Sequence, residues 1–425
     1  MFRRIFYGWV IVVISIVNMI FIYGIRLSFP VFFPSILAEF GWSRGSTAMM
    51  LSLNILIYGF LAPFAGILIN RWRPRRIMPL GILLLSIATA CCAFAHELWH
   101  FYLLFGMLMP LGSAFSGWPI LAPTLMNWFA KRRGLVMGLG QMGGGLSFSY
   151  SMFVAFTISK VGWRDSYLVL AIILVVLLVP LSLLFFYYHP EDKGLKPYGA
   201  NEISPPKNST IGQVVAKNPF FFEKHFYEVL RARQLWFLIL SYAFYWGIGG
   251  YLVLAHQVKF AQDAGYSSMF SVSIFALFGI TLFFGQFFGF ISDWLGREKT
   301  GTLAACLSIG GLCALISVRD TSQTWLLYVY SICFGFGGGI FSPTIFAASA
   351  DIFYGRYYGA VVGLLLMGMG VGGIMGPWLG GYLFDLSGSY MTAFVLCILS
   401  IGLGCLFLWV AAPRKAGRQR RLEAD

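Results

Sequence analysis

Residues 289–299 read GFISDWLGREK, a short charged turn that joins two apolar runs near 267–291 and 300–317. A degraded copy of this turn, Gly66-Ile-Leu-Ile-Asn70-Arg71, follows an earlier apolar run about 225 residues upstream. A charged turn between two apolar runs predicts a pair of helices joined at one face of a membrane. Its recurrence at a long offset predicts a duplicated chain.

A second pair of similar segments recurs at about the same offset, in the second half of each repeat. Residues 128–134 read WFAKRRG, and residues 352–359 read IFYGRYYG. The helices that follow are both rich in glycine, at 138–145 and at 368–373. Duplication on this scale is typical of transporters built from two bundles that rock about a site near the midplane. The glycines favour either a moving contact between the bundles or static close packing.

Twelve apolar runs are long enough to cross a bilayer, for which roughly 20 residues are needed. They lie near 9–36, 46–70, 77–96, 100–127, 134–159, 164–187, 235–259, 267–291, 300–317, 323–349, 358–384 and 389–411. The sequence therefore predicts an all-α membrane protein with two pseudo-symmetric six-helix bundles. We expect the bundles at 1–188 and 233–412, a cytoplasmic linker at 189–232 and a basic cytoplasmic tail at 413–425.

The composition and the placement of charge support this interpretation. Hydrophobic residues make up 59% of the 425 residues and charged residues only 11%, so lipid is the expected solvent for most of the chain. Of the 30 Lys and Arg residues, 24 fall in the termini and in alternate loops, and four fall in the opposite loops. This bias places both termini in the cytoplasm. The net charge of +14 therefore orients helices and does not indicate a nucleic-acid partner.

Residues 289–299 also carry a resemblance to a known family. The spacing GxxxDxxGREK resembles the loop motif of major facilitator transporters. Four further segments resemble the branch that contains the monocarboxylate transporters and the oxalate:formate antiporters: Tyr7-Gly8-Trp9, Gly41-Trp42-Ser43-Arg44, Trp128 to Gly134, and Gly162-Trp163-Arg164. The resemblance implies the major facilitator fold and transport by alternating access. It also implies that Asp293, Gly296 and Arg297, with their weaker counterparts Asn70 and Arg71, form a cytoplasmic gate in which Asp293 faces the start of the eleventh helix.

Arg26 is the main candidate for binding substrate. All sixteen Asp and Glu residues lie in predicted loops, in the tail or at helix ends, whereas Arg26 lies slightly beyond the middle of the first helix. A central arginine costs roughly 2.5–3.5 kcal/mol on insertion scales, and its paired donors match a carboxylate. The functional hypothesis is a clamp for an anionic substrate. The alternative is a side chain that extends to the membrane surface.

His256 ends the seventh predicted helix in a segment that resembles the family's histidine segment. An imidazole titrates near neutral pH, so His256 is a candidate carrier of a co-transported proton. The alternative is a structural histidine whose ring nitrogens are satisfied by neighbouring groups.

The sequence departs from the family where an anion would be bound. Relatives of the animal type are expected to have an Asp and an Arg in the eighth helix, but residues 281–286 read TLFFGQ. Their first-helix lysine would align at Leu27, next to Arg26, so cationic recognition has moved to Arg26 or the substrate is not a simple anion. The remaining candidates for polar lining are Tyr23, Asn54, Gln141, Tyr150, Tyr242, Tyr245 and Gln286.

The predicted function is secondary transport of a small organic anion, such as one of the lactate, formate or oxalate class, by proton symport or anion exchange. The alternatives are an exporter of amphipathic compounds, favoured by 18% aromatic residues, and a non-transporting membrane sensor. The sequence contains no P-loop, nucleophile elbow or histidine-rich metal motif, so we expect neither an enzyme nor a cofactor. We expect a functional monomer in the plasma (inner) membrane, with lipid and the substrate as its partners and a proton where transport is by symport.

Overall fold

The computed structural model describes residues 6–68, 74–129, 133–199, 229–353 and 358–413. Within these ranges the chain is almost entirely helical, and the β contact found there is one isolated bridge between Phe129 and Tyr198. The all-α membrane fold predicted from the sequence is confirmed.

The first half contains six membrane helices. Their bounds are α1 Tyr7–Leu27, which continues after Ser28 as Phe29–Phe40, α2 Arg44–Leu68, α3 Pro74–Cys92, α4 Leu98–Trp128, α5 Arg133–Leu146 with its continuation 150–161, and α6 163–185. By length and composition, α5 and α6 form one apolar stretch, Gly138–Phe185. Gly162 divides it, because its φ of 81° and ψ of 169° are not helical.

The second half contains the other six. Their bounds are α7 Arg233–Asp263, α8 Ser268–Leu295, α9 Arg297–Ile316, α10 Thr324–Phe353, α11 Tyr358–Ser387 and α12 Met391–Ala411. The helices of this half agree with the apolar runs read from the sequence to within a few residues.

The helix ends meet at two faces of the molecule. On the side where α1 begins and α12 ends, called here the termini side, the hydroxyl of Tyr7 donates to the carbonyl of Phe185 at 2.8 Å. On the opposite side, Arg164 donates to the carbonyl of Ala93 at 2.7 Å and to the carboxylate of Glu39 at 2.8 Å. The turn at Gly162 therefore lies on the opposite side, which makes α5 and α6 separate crossings.

The outer surface of the helices is apolar. Ile172, Val176 and Leu399 are 62%, 68% and 59% exposed in the isolated chain. In water such a surface would be costly, whereas in lipid it needs no partner because the helical backbone satisfies its own hydrogen bonds. Multi-pass insertion in a membrane follows from this surface and from the length of the helices.

The helix pairs through which the two bundles meet include α2 with α11 and α5 with α8. In the second pair, a Cβ on Gly145 would lie 2.9 Å from the Cα of Phe283, and the hydroxyl of Ser149 donates to the carbonyl of Ala276 at 3.3 Å. Backbones approach this closely only where side chains are small.

The glycines of α11 face two directions. A Cβ on Gly376 would lie 2.7 Å from the carbonyl oxygens of Gly247 and Ile248 in α7, within one bundle. A Cβ on Gly370 would lie 3.2 Å from the carbonyl oxygen of Ile55 in α2, across the bundles. One set of glycines therefore serves packing inside the bundle, and the other lines the contact between bundles.

The predicted linker falls largely on residues 200–228, outside the described ranges, as does most of the predicted tail. The described start of the linker forms a short 3-10 helix, Pro190–Lys193, and the amide of Tyr198 donates to the carbonyl of Trp128 at 2.9 Å. The start of the linker is thus held against the first bundle.

Candidate functional site

Arg26 lies at a break in α1. The helix stops at Leu27 and restarts at Phe29, with Pro30 at its second position. Pro30 has no amide hydrogen and cannot bond to the carbonyl of Arg26, four residues earlier, so the regular helical hydrogen bonding is interrupted there. Discontinuous membrane helices are a recurrent feature of transporter binding sites.

The guanidinium of Arg26 is only 1% exposed, and its hydrogen-bond partners belong to the first bundle. Its Nε donates to Oδ1 of Asn54, and its Nη2 lies 3.4 Å from the carbonyl oxygen of the same residue. The Asn54 side chain is in turn oriented by a 2.7 Å hydrogen bond from Nδ2 to the carbonyl of Phe105. Arg26 therefore does not extend to the membrane surface.

Two tyrosines complete this cluster. The guanidinium carbon of Arg26 lies 3.9 Å from the ring centroid of Tyr58 and 5.9 Å from that of Tyr23, and the two tyrosine hydroxyls are hydrogen-bonded to each other. Phe105 belongs to a π-helical segment of α4, Tyr102–Leu108, and such segments are frequent at functional sites. We call Tyr23, Arg26, Asn54 and Tyr58 the Arg26 cluster.

The Arg26 cluster holds a positive charge with no negative partner. Among the residues that the structure describes, no carboxylate pairs with Arg26, and its Nη1 has no hydrogen-bond partner. Burying an unpaired charge is costly, and a π face recovers only part of that cost. The arrangement is suited to receive an anion at Nη1.

The structure brings some of the predicted lining residues to the cluster and not others. Arg26, Tyr23 and Asn54 are in contact, and Tyr242 of α7 is within electrostatic range of Tyr23. Tyr245 instead faces the interior of the second bundle, where its hydroxyl is 2.7 Å from that of Ser308 and its ring stacks on Phe341 at 3.6 Å.

The other three predicted lining residues are not hydrogen-bonded to Arg26 in the described part of the chain. Tyr150 packs against α1 beside Phe21, with its ring centroid 5.3 Å away, and its hydroxyl has no hydrogen-bond partner among the residues that the structure describes. The same holds for Oε1 of Gln286, on the part of α8 that packs against α10. Gln141 is half-buried on α5. None of the three has a hydrogen bond to the Arg26 cluster in the described part of the chain.

Sequence reasoning missed Tyr58 and Tyr251. Tyr58 follows Asn54 by four residues on α2, so helical spacing could have placed it on the same face. Tyr251 of α7 is within electrostatic range of Arg26, Tyr23 and Tyr58. The repeat offset of about 225 pairs Tyr251 with Arg26, so the duplication itself contained this signal.

His256 is fully buried, and both of its ring nitrogens have partners. Nε2 lies 2.8 Å from the carbonyl oxygen of Pro377 and so must donate, and Nδ1 lies 3.2 Å from the hydroxyl of Tyr390. The same hydroxyl accepts a 2.8 Å hydrogen bond from Nη1 of Arg44. With a neutral imidazole, every hydrogen-bonding group in this series has a partner. The series of hydrogen bonds runs from Arg44 of α2 through Tyr390 to His256 of α7 and Pro377 of α11.

Arg44 joins the two bundles on the opposite side. Its Nη1 lies 2.5 Å from Oδ2 of Asp263, and its guanidinium carbon lies 3.6 Å from the ring centroid of Phe384. Asp385 accepts hydrogen bonds from the amides of Arg44 and Gly45 at 2.9 and 2.7 Å, which places a carboxylate at the start of α2, where the helix dipole favours it. These contacts join the two bundles on the opposite side.

The predicted gate on the termini side is described only in part. Asn70 and Arg71 lie outside the described residues, as do residues 354–357 before α11. Arg297 pairs with Asp293 at 2.6 Å and with Asp351 at 2.8 Å, so the described partner of Asp293 lies in its own bundle. Gly296, with φ of 94°, forms the turn between α8 and α9, a conformation that favours glycine.

Two helical bundles that meet around a buried polar cluster are the architecture of a secondary transporter. The comparison with protein families agrees: the model of the Major Facilitator Superfamily matches residues 14–353 and 300–424. The chain belongs to this superfamily and is therefore a multi-pass membrane transporter and not an enzyme.

The curated relatives are monocarboxylate transporters. The chain is 28% identical to monocarboxylate transporter 13 of Rattus norvegicus, over 92% of this chain and 85% of the relative. It is 26% identical to human monocarboxylate transporter 11, over 96% of this chain and 83% of the relative. Among solved structures, a bacterial homolog to the human lysosomal transporter Spinster, described as inward-facing and unoccupied, has a TM-score of 0.69, 17% identity and 97% coverage of both chains.

Proposed function

We propose that this chain is a secondary active transporter of small organic anions of the monocarboxylate class that works by alternating access, with a proton or in exchange for another anion. The supporting observation is the buried Arg26 guanidinium, which has no carboxylate partner in the described part of the chain. The similarity to monocarboxylate transporters favours the same substrate class.

An anion bound at Arg26 would remove the cost of its isolated charge. A carboxylate accepts charge-assisted hydrogen bonds from a guanidinium at about 2.7–2.9 Å, and Nη1 is the donor left open by Asn54. The loaded cluster is then neutral, which lowers the electrostatic cost of closing the bundles around it.

The distribution of basic residues supports a plasma (inner) membrane protein with both termini in the cytoplasm. In that orientation the contacts of Arg44 with Asp263 and Asp385 close the external side, and the segment around Asp293 and Arg297 belongs to the cytoplasmic side. We propose that the two sides open alternately in a monomer.

For the symport form of this function, His256 is the proposed proton carrier. A proton on Nδ1 would leave the Tyr390 hydroxyl without its acceptor and add a positive charge near Arg44. Proton binding at His256 would therefore weaken the contacts that close the external side.

Uptake of labelled lactate, formate and oxalate into proteoliposomes tests the function. Loss of a charge-assisted pair with the substrate predicts that Arg26→Ala lowers lactate or formate uptake by at least about thirtyfold. The matched control is Arg319→Ala, which removes an exposed arginine from the turn between α9 and α10. Uptake that is unchanged in Arg26→Ala would remove Arg26 from the site, and absence of uptake of all three anions by the wild-type protein would contradict the proposed function.

A further inference from the structure

The winding of α7 brings two tyrosines to one face. Residues Ala243–Gly250 form a π-helical segment between Tyr242 and Tyr251. On a regular α-helix, nine residues make about two and a half turns and would put these tyrosines on opposite faces. The wider π winding returns them to the same side. Accordingly, Tyr242 and Tyr251 lie within electrostatic range of each other and both are within range of Tyr23.

Close packing against α11 fixes this register. A Cβ on Gly247 would lie 2.7 Å from the carbonyl oxygen of Met369 and 2.9 Å from the Cα of Gly372. The π segment thus lies directly on the α11 backbone, and α7 cannot rotate there without a clash. The packing of the α7 backbone on the α11 backbone therefore determines where Tyr251 lies along and around α7.

Arg26 and Tyr251 occupy equivalent places in the two halves. They are paired by the repeat offset of about 225, and each adjoins a departure from regular helix, at Ser28 in α1 and at the end of the π segment in α7. Irregular helices at corresponding positions of two repeats indicate a binding site between them. Tyr251 is half-buried, and its hydroxyl has no hydrogen-bond partner among the described residues.

We propose that Tyr251 is the specificity-determining residue of the second bundle, donating its hydroxyl hydrogen to the anion held by Arg26. The inference rests on the proposed function. A single anion would then bridge the two bundles through a cation on one side and a neutral donor on the other. Since the described part of the membrane core offers no second cation opposite Arg26, the site favours one negative charge, and a dianion such as oxalate is bound less well than a monoanion such as lactate or formate.

The test uses the full chain in proteoliposomes, with lactate uptake measured over a range of concentrations and oxalate as competitor. Tyr251→Phe removes only the hydroxyl, and loss of one hydrogen bond to a charged group predicts a KM raised about tenfold, with the maximal rate within about twofold of wild type. The control is Tyr328→Phe, an exposed tyrosine on α10, for which KM stays unchanged. Oxalate competes at least about tenfold more weakly than formate.

Each outcome separates this inference from the function on which it rests. A wild-type KM in Tyr251→Phe, beside an inactive Arg26→Ala, overturns the role of Tyr251 and leaves the anion transporter intact. Oxalate that competes as well as formate overturns the preference for one charge. Absence of anion uptake by the wild-type protein overturns the proposed function and this inference together. Melting temperatures of the purified variants show whether Tyr251→Phe is folded.

Discussion

At the scale of single residues, the buried charge of Arg26 dominates the electrostatics of the proposed site. Its charge is buried to 1% exposure and is met by the amide oxygen of Asn54 and the ring of Tyr58, both neutral. Neutral partners satisfy part of the guanidinium's hydrogen bonding and leave its net charge in place. The residue is therefore held in position while it remains able to attract an anion.

Asn54→Asp is expected to separate structure from transport. The new carboxylate would accept from Arg26 as Asn54 Oδ1 does and would neutralise it permanently. We predict a melting temperature close to that of the wild-type protein, because the oppositely charged neighbour stabilises the buried charge of Arg26 and so offsets loss of the Nδ2 hydrogen bond to the carbonyl of Phe105. Lactate uptake should fall at least about tenfold, because the fixed carboxylate occupies the place of the substrate.

Thermal unfolding and lactate uptake, measured on the same preparation of Asn54→Asp, test this prediction. Uptake retained in a stable Asn54→Asp variant would contradict the proposal that Arg26 needs its charge for the substrate. Asn54→Gln is the matched control: it keeps the amide group, so it lacks the competing charge of Asn54→Asp.

Single residues also show which features of the proposed site can be read from the sequence. Arg26 was identifiable because a lone deep cation is rare in an apolar run. Tyr245 is among the candidates for polar lining predicted from the sequence, but its hydroxyl and ring are used inside the second bundle. Tyr251 could not be placed by α-helical spacing, because the π winding that positions it is set by packing on α11.

Among the helices, α11 connects packing with movement. Its glycines that face α7 belong to the interior of one bundle, and those that face α2 belong to the contact between bundles. Rocking of the bundles would break the second set of contacts and preserve the first. The two sets should therefore respond differently to an added methyl group.

Alanine substitution on the two faces of α11 tests this division. A Cβ on Gly372 would contact the backbone of Ala243 within the bundle, so Gly372→Ala should lower the free energy of unfolding by about 1–3 kcal/mol. A Cβ on Gly370 would lie 3.2 Å from the carbonyl oxygen of Ile55 in the other bundle. Gly370→Ala should change the maximal transport rate more than the stability, because the bundles can separate to accommodate it.

Thermal unfolding of both variants, together with lactate uptake, provides the measurement. Equal losses of stability in Gly370→Ala and Gly372→Ala, with unchanged transport in both, would contradict the assignment of the two glycine faces.

For the molecule as a whole, the sequence duplication and the bias of basic residues are the features from which the arrangement of the membrane helices could be predicted. Apolar run length fixed the number of crossings, and Gly162 separated α5 from α6 as expected from the gap between their runs. The contacts between bundles were not predictable, because Arg44, Asp263 and Asp385 come together only when distant helix ends meet. The sequence gives no pairing rule for such residues.

The chain of hydrogen bonds from Arg44 through Tyr390 to His256 predicts how transport depends on pH in the symport form. Arg44 of α2 is the charged member of this series, the carboxylates of Asp263 in α7 and Asp385 in α11 face it, and Phe33 of α1 contributes only an apolar ring. Lactate uptake by the wild-type protein should rise as external pH falls, and uptake by His256→Gln should depend less on external pH than uptake by the wild-type protein. His96→Gln, at an exposed histidine, is the control.

Uptake driven by an imposed pH gradient provides this measurement. A His256→Gln variant that keeps the wild-type pH profile would assign the histidine a structural role. In that role Nε2 only donates to the carbonyl of Pro377, and Nδ1 only accepts from the hydroxyl of Tyr390.

The central claim is that Arg26 binds the substrate anion between the bundles, and anomalous diffraction from crystals soaked in 3-bromopropionate tests it most directly. We predict a bromine peak enclosed by α1, α2 and α7, with the carboxylate about 2.7–2.9 Å from the Arg26 guanidinium, and no such peak in crystals of Asn54→Asp. Bromine found only on the lipid-facing surface of wild-type crystals, with Arg26 unoccupied at saturating ligand, would contradict it.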